Sequence, residues 1–473
     1  LADDNQFSTP MQLLALPPIQ PARLSDGSLN TATVYFNGLI KKENSYFNTS
    51  VFRNLTNLYA QYEIIKGLSF RSEIAADVLI QNEDTWDGRE VDPDSGYQNG
   101  GGYSSWTSVQ NYSTNNFFSY VTKIGASHNL DVTVGTSFQK AITNGNSVTA
   151  QTFPSNAYKT LVNASVITAG NSSLTDYAFL SYFARSNYKF KDRYLLSLSG
   201  RVDGSSKFGA DKRYGFFPAA SAGWIISDEA FLAPVEKISF LKLRGSIGLT
   251  GNAPFGNFAG LGLYGANTYD VLGGQAPVQL QNKDLKWETT LQTNIGLDFG
   301  VLNDRITGEF DYYVKNTSDV LLNSNVPAIS GFLTRFINIG KIENKGIELL
   351  INTRNIDNGD LTWTTSFNYS RNRNKILDLN GNIIEAGYNN RAIEGQPIGV
   401  FFTTEYAGVK PDNGDALWYV NRTPSQEELD DELVFTVDKF GDRYVTNDNS
   451  LADRVIAGDP NPDFIGGINN SFT

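Results

Sequence analysis

Residues 289–315 read TTLQTNIGLDFGVLNDRITGEFDYYVK, and the fold follows from how those residues alternate. Leu291, Ile295, Leu297, Phe299 and Val301 share one parity; Asn294, Gly296, Asp298 and Gly300 share the other. Leu302-Asn303-Asp304-Arg305 makes a short turn. Beyond it Ile306, Gly308, Phe310, Tyr312 and Val314 alternate with Thr307, Glu309, Asp311, Tyr313 and Lys315. Successive side chains on a strand point to opposite faces, so this is a hairpin with one apolar and one polar side. Each arm is about ten residues long, the length a tilted strand needs to cross a bilayer. In a membrane barrel the apolar face meets lipid and the polar face lines a wet lumen. A soluble sandwich also alternates, with its apolar face inward and on shorter strands. One hairpin leaves both readings open; repetition, loop lengths and composition separate them.

The pattern recurs. Asn54–Ala76 reads as a hairpin turning at Ile64–Gly67, and Phe117–Phe138 as another turning at Ala126–Asn129. Leu180–Asp203 repeats it around Lys191-Asp192. Ala220, Ala222, Trp224 and Ile226 form an apolar face, as do Leu241, Leu243, Ile247 and Leu249. Ile347, Leu349 and Ile351 pair with Trp363, Thr365, Phe367 and Tyr369 through Asp357-Asn358-Gly359-Asp360, where Asn-Gly tolerates the positive φ of a tight turn. Between hairpins lie long polar stretches, 78–115, 140–175, 251–286 and 317–344, read as loops. Thr423–Glu432 reads as a loop or short helix. Alternation gives roughly twelve to fourteen strands. Short turns alternating with long loops match outer-membrane barrels, whose turns are periplasmic and whose long loops are extracellular.

Composition narrows the class. No run approaches the ~20 apolar residues of a spanning helix, which leaves a β-barrel open. The 23 Tyr and 30 Phe suit aromatic girdles. With no Cys and one His, disulfides, thiolate chemistry, zinc clusters and Ser/His triads have no material. The chain therefore reads as no enzyme and needs no cofactor. A net charge of -12 argues against nucleic acid as a partner.

Several runs carry a family resemblance. Arg201-Val202-Asp203-Gly204-Ser205-Ser206-Lys207-Phe208-Gly209 is one, and Arg213-Tyr214-Gly215-Phe216-Phe217-Pro218-Ala219-Ala220-Ser221-Ala222-Gly223-Trp224 another. Leu241–Ser246 with Thr250-Gly251-Asn252, Leu285-Lys286-Trp287-Glu288, Asn338–Glu348 and Gly458–Phe464 follow in order. They resemble the SusC/RagA class of TonB-dependent outer-membrane transporters. The resemblance implies an all-β antiparallel transmembrane barrel of about 22 strands around a plug. It implies import of glycan or peptide oligomers, energised through TonB, with a SusD-like lipoprotein over the extracellular loops. No plug, TonB-contacting segment or closing strands are recognisable. The expectation is that residues 1–473 are part of one such barrel domain, a multi-pass protein of the outer membrane in contact with its lipid. The alternative is a secreted or surface β-rich glycan-binding or adhesin module.

Site expectations follow. Leu297, Phe299, Phe310 and Tyr312 face lipid in the barrel and a core in the alternative. Trp86, Tyr97, Tyr103 and Trp106, in a loop, offer flat faces on which sugar rings could stack. Arg201, Lys242, Arg244, Glu309 and Asp311 line the lumen, tuning passage or pairing with one another. Asp84, Asp87, Glu90, Asp92 and Asp94 form an acidic loop cluster without EF-hand spacing, so it reads as a solvated loop rather than a calcium site. No metal ligand set is expected. Gly260-Leu261-Gly262-Leu263-Tyr264-Gly265 fits a dinucleotide fingerprint only in letters, since it lies in a Gly/Asn-rich loop. His128 reads as a solvated turn residue.

Overall fold

A computed structural model describes residues 17–34, 37–89, 99–270, 272–385, 387, 389–410, 412–437 and 441–473. Its main element is a 13-stranded sheet in which hydrogen-bonded neighbours follow chain order. The strands are β1 (Ser45–Ile65), β2 (Leu68–Asp87), β3 (Gly101–Ile124), β4 (His128–Gln151), β5 (Val166–Phe190), β6 (Tyr194–Ser205) and β7 (Tyr214–Ile225). They continue with β8 (Ile238–Asn252), β9 (Glu288–Val301), β10 (Ile306–Ser318), β11 (Lys341–Asp357), β12 (Thr362–Asp378) and β13 (Ile465–Phe472). Antiparallel neighbours in sequence order are what short hairpin turns produce.

The turns sit where the sequence places them. Lys191 and Asp192 have φ of 51° and 56°, and Leu302, Asn303 and Asp304 all lie near 57°. Two consecutive left-handed residues match the right-handed twist of the strands they join. Gly67 and Gly359, at φ 84° and 87°, each supply a single left-handed residue at their turns without a Cβ penalty. The links at this end cover 66–67, 125–127, 191–193, 226–237, 302–305 and 358–361. Those at the other end, called outer below, cover 88–100, 152–165, 206–213, 253–287, 319–340 and 379–464.

Several expected loops are strands. β2 to β5 are 20, 24, 24 and 25 residues long, so the stretches 78–115 and 140–175 are largely extended and paired. At about 3.3 Å per residue, such strands exceed a ~30 Å hydrocarbon layer twofold. Their outer portions need no apolar face, which is why alternation failed to reveal them. The stretches 251–286 and 317–344 carry hairpins of their own, Leu263–Tyr269 with Leu272–Gln279 and Leu321–Asn325 with Thr334–Asn338. Between β12 and β13, residues 384–458 build two four-stranded sheets and the helix Gln426–Asp430, whose Ser425 and Glu428 form a capping box.

Contacts divide the chain into two units, Leu1–Tyr62 with Phe70–Asn116 and Thr136–Leu180, and Glu63–Ser69 with Phe117–Gly135 and Ser181–Thr473. The first has a small interior around Trp86, Phe153, Ala141 and Ala150. The second packs Phe208, Phe217, Leu285 and Trp287 near its outer end, and Ile376, Leu379 and Ala392 beside the small sheets.

Candidate functional site

Register turns the alternating letters into two surfaces within the second unit. On one face, Tyr194, Trp224, Leu243, Leu297, Phe310, Leu349 and Tyr369 lie directly opposite one another across β6 to β12. Phe310 and Tyr312 remain 40% and 44% exposed, and Leu297 and Phe299 are half-buried. Leu196, Leu198, Ile247, Leu291 and Ile295 are exposed on the same face. A continuous apolar surface of this extent is a contact surface, not an ordinary solvated one. The Phe299 ring covers Gly308, its partner on β10, where a Cβ would stand 2.5 Å from Phe299 Cζ.

The opposite face is polar. The row one residue along reads Leu195, Gly223, Arg244, Gly296, Asp311, Glu348 and Ser370. Arg244 donates through Nε to Asp298 Oδ1 at 2.8 Å and through Nη2 to Asp311 Oδ2 at 2.6 Å. Lys242 Nζ reaches Asp298 Oδ2 at 3.1 Å. Two cations and two carboxylates thus bridge β8, β9 and β10. The bridge passes over Gly296, where a Cβ would meet Arg244 Cζ at 2.5 Å and Asp311 Oδ1 at 2.8 Å. Among the described residues, Asp311 Oδ1 is buried without a hydrogen-bond partner. Beside this network lies a recess of 680 Å³, whose lining includes Ser197, Ser221, Ser246, Asn187 and Asn294. Register puts the three serines and Asn294 side by side. The lining thus sets small hydroxyl and amide side chains beside charged ones, Lys123, Asp131, Lys189, Lys242 and Arg244.

At the end with the short turns, Glu229 accepts from Tyr194 Oη at 2.6 Å, Trp224 Nε1 at 3.1 Å and Arg193 Nη1 at 2.9 Å. These donors hold its carboxyl below the usual carboxylate range, Tyr194 most strongly. Tyr194 stacks between Phe190 and Trp224, with centroids 6.0 and 6.5 Å apart. Apolar rings with polar tips at one level are the composition of an interfacial belt.

The predicted site residues separate. Trp86 is not a loop contact. It is 1% exposed on β2, stacked on Tyr46 and edge-on to Phe153, with Lys159 over its ring. A ring enclosed in this way cannot stack on a sugar. Tyr103 and Trp106 are half-buried on β3 rather than displayed on a loop, and Tyr97 lies outside the described residues. Lys242, Arg244 and Asp311 come together as a wall network, whereas Arg201 pairs with Asp203 and Glu309 is exposed. Asp298, central to the network, carried only the signal of its parity. His128 is no free turn residue: its Nδ1 lies 2.6 Å from Tyr188 Oη and its ring 4.9 Å from Phe190. In the acidic cluster Asp84 accepts from Ser104, and Glu90, Asp92 and Asp94 lie outside the described residues. Gly260–Gly265 runs into the strand Leu263–Tyr269, with no helix to receive a pyrophosphate.

Parts of four of the motifs behind the resemblance meet near the outer end of the second unit: Phe208, Arg213 with Phe217, Lys286 with Trp287, and Asn338. Trp287 donates to Arg213 O at 2.9 Å and packs against Phe208 and Phe217. Asn338 accepts from Lys286 N at 2.9 Å and donates to Lys286 O at 2.8 Å. These residues are packing devices that join the outer links to one another.

Comparison with known proteins agrees with this geometry. A family model described as TonB dependent receptor-like, beta-barrel, matches residues 15–465. TonB-dependent receptor P3 of Formosa agariphila is 34% identical, over 88% of this chain and 42% of its own length. TonB-dependent receptor SusC of Bacteroides thetaiotaomicron is 35% identical, over 64% of this chain and 32% of its own. The chain thus spans less than half the length of these curated relatives. The RagAB peptide transporter structure matches with a TM-score of 0.80 at 24% identity, covering 95% of this chain and 50% of that one, a likeness of fold.

Proposed function

The chain belongs to the TonB-dependent receptor-like β-barrel family, and from that membership we propose that it forms barrel wall in a SusC/RagA-like importer of nutrient oligomers. Members of the family are multi-pass outer-membrane β-barrels and are not enzymes. On this reading residues 1–473 are part of one barrel domain within a longer protein. The apolar row containing Leu297 and Phe310, with Phe299 and Tyr312, faces lipid; the face carrying Arg244, Asp298 and Asp311 lines the passage. TonB supplies the energy, a SusD-like lipoprotein meets the outer links, and glycan or peptide oligomers are the cargo. The observation that carries the reading is the pairing, strand by strand, of an exposed apolar row with a charged row on the opposite face.

The test is membrane fractionation of the full-length protein with Leu297→Arg and Phe310→Arg. Arginine on a lipid face costs up to about 2–4 kcal/mol, most at the bilayer midplane. Each variant should therefore assemble poorly while the parent reaches the outer membrane, and uptake of oligomers by the parent should stop when the proton gradient collapses. A parent that is soluble and monodisperse without detergent would sink the proposal.

A further inference from the structure

Residues 384–458, between β12 and β13, carry four arginines, Arg391, Arg422, Arg443 and Arg454. Three are committed to carboxylates. Arg391 pairs with Glu385 at 3.0 Å, Arg422 with Glu428 at 2.5 Å and Asp453 at 3.3 Å, and Arg443 with Glu405 at 2.7 Å. Arg443 also lies 3.4 Å over the Tyr419 ring. Arg454 differs. It opens the strand Arg454–Gly458 opposite Thr404 and is exposed; among the described residues it has neither an ion pair nor a hydrogen-bond acceptor for its side chain. It instead borders a 410 Å³ cavity with Asn389, Thr403, Thr404, Asn449 and Ser450. The adjacent acids point their bonds elsewhere. Asp448 accepts from Ser450 N and Oγ at 2.8 and 2.7 Å, and Asp453 gives Oδ1 to Arg422 while its Oδ2 is buried, without a hydrogen-bond partner among the described residues.

We propose that this cavity receives a carboxylate carried by the incoming oligomer, with Arg454 as its charged anchor. A guanidinium offers two parallel N–H donors that match the two oxygens of a carboxylate, and a pair of that kind is selective in geometry as well as charge. The hydroxyl and amide side chains around it suit the neutral polar groups beside such a carboxylate. Among the described residues no acid lines the cavity to compete. The volume falls within the range of small-ligand sites, about 300–1,000 Å³. The chain's net charge of -12 repels an acidic oligomer at long range, so an uncommitted cation is where that oligomer gains attraction. The inference rests on the import reading and names a cargo class for it: oligomers bearing carboxylates. Two sources share that chemistry, the C-terminus of a peptide and the uronic acid units of a glycan.

The experiment measures dissociation constants on the full-length protein by titration calorimetry. One arm compares peptides with their C-terminal amides, the other oligouronates with their carboxyl-reduced counterparts. Wild type should prefer the carboxylate form in one arm by roughly tenfold, the scale of a charge-assisted hydrogen bond. Arg454→Gln should erase the preference while neutral oligomers bind as before, and Arg454→Lys should restore part of it. The arm that responds identifies the source. Because the Arg454 side chain makes no ion pair or hydrogen bond among the described residues, both variants should assemble normally, checked by heat-modifiable gel mobility. A preference that survives in Arg454→Gln, or binding of neutral and carboxylated forms alike by wild type, overturns this proposal and leaves import standing. Failure of the parent to bind or import any oligomer overturns both.

Discussion

Gly296→Ala should destabilise the protein only while Arg244 is present. The new methyl would stand 2.5 Å from Arg244 Cζ, 2.7 Å from Nη1 and 2.8 Å from Asp311 Oδ1. Those atoms end flexible side chains, so the backbone survives and the guanidinium moves. Asp298 keeps Lys242 at 3.1 Å, but Asp311 loses its 2.6 Å bond and is left facing Glu348 across the β10–β11 ladder. A hydrogen bond between charged groups contributes about 1.5–3 kcal/mol. Arg244 is 29% exposed, so screening lowers this to about 1–2 kcal/mol. Alanine in place of glycine in a strand returns roughly 0.5–1 kcal/mol. The net loss is about 0–1.5 kcal/mol by difference. In an Arg244→Met background only the 2.8 Å approach to Asp311 Oδ1 remains; that carboxylate, no longer held by the guanidinium, turns aside, and the same change should stabilise by little more than the backbone term. Equilibrium denaturation of the full-length protein in micelles reads both values through the midpoint at constant slope. A change of the same sign and size in both backgrounds, within about 0.5 kcal/mol, would refute the reasoning.

Other consequences are open to direct measurement. Trp86→Ala should cost about 3–5 kcal/mol of stability, the scale of emptying a core aromatic site; unchanged denaturation with lost ligand binding would instead favour a contact role. Glu428, held down to about 2 chiefly by Arg422 and then by the Ser425 backbone, stabilises the folded state above its ordinary value of 4.5. That contribution should fade as pH falls from 4.5 through about 2, and Arg422→Met should move the carboxyl titration upward in an NMR pH series. Glu229→Gln weakens the bonds from Tyr194, Trp224 and Arg193, so tryptophan emission should shift and the acid sensitivity of that edge should diminish. No shift would mean that the three donors are held by packing alone.

The alternation in 289–315 was sufficient for the hairpin of β9 and β10, because side-chain parity on a strand is a local property needing no partner. The positions of the turns at Lys191-Asp192, Leu302–Asp304 and Gly359 were legible from where that alternation breaks, though positive φ was legible only at Gly359, and the count of main-sheet strands followed. Neighbour relations were not legible. The outer portions of β2 to β5 read as loops because strands beyond the bilayer need no apolar face, and for that reason the letters around Trp86 give no sign that it lies in an interior. Asp298, Arg244 and Asp311 could be assigned to one face from their letters, but only register set them within bonding distance. Arg454 has nothing distinctive in its sequence; its open side chain stands out only once Arg391, Arg422 and Arg443 are seen to be occupied. Local periodicity determines which face a residue occupies, while pairing and burial, which join residues far apart in the chain, decide what that residue touches.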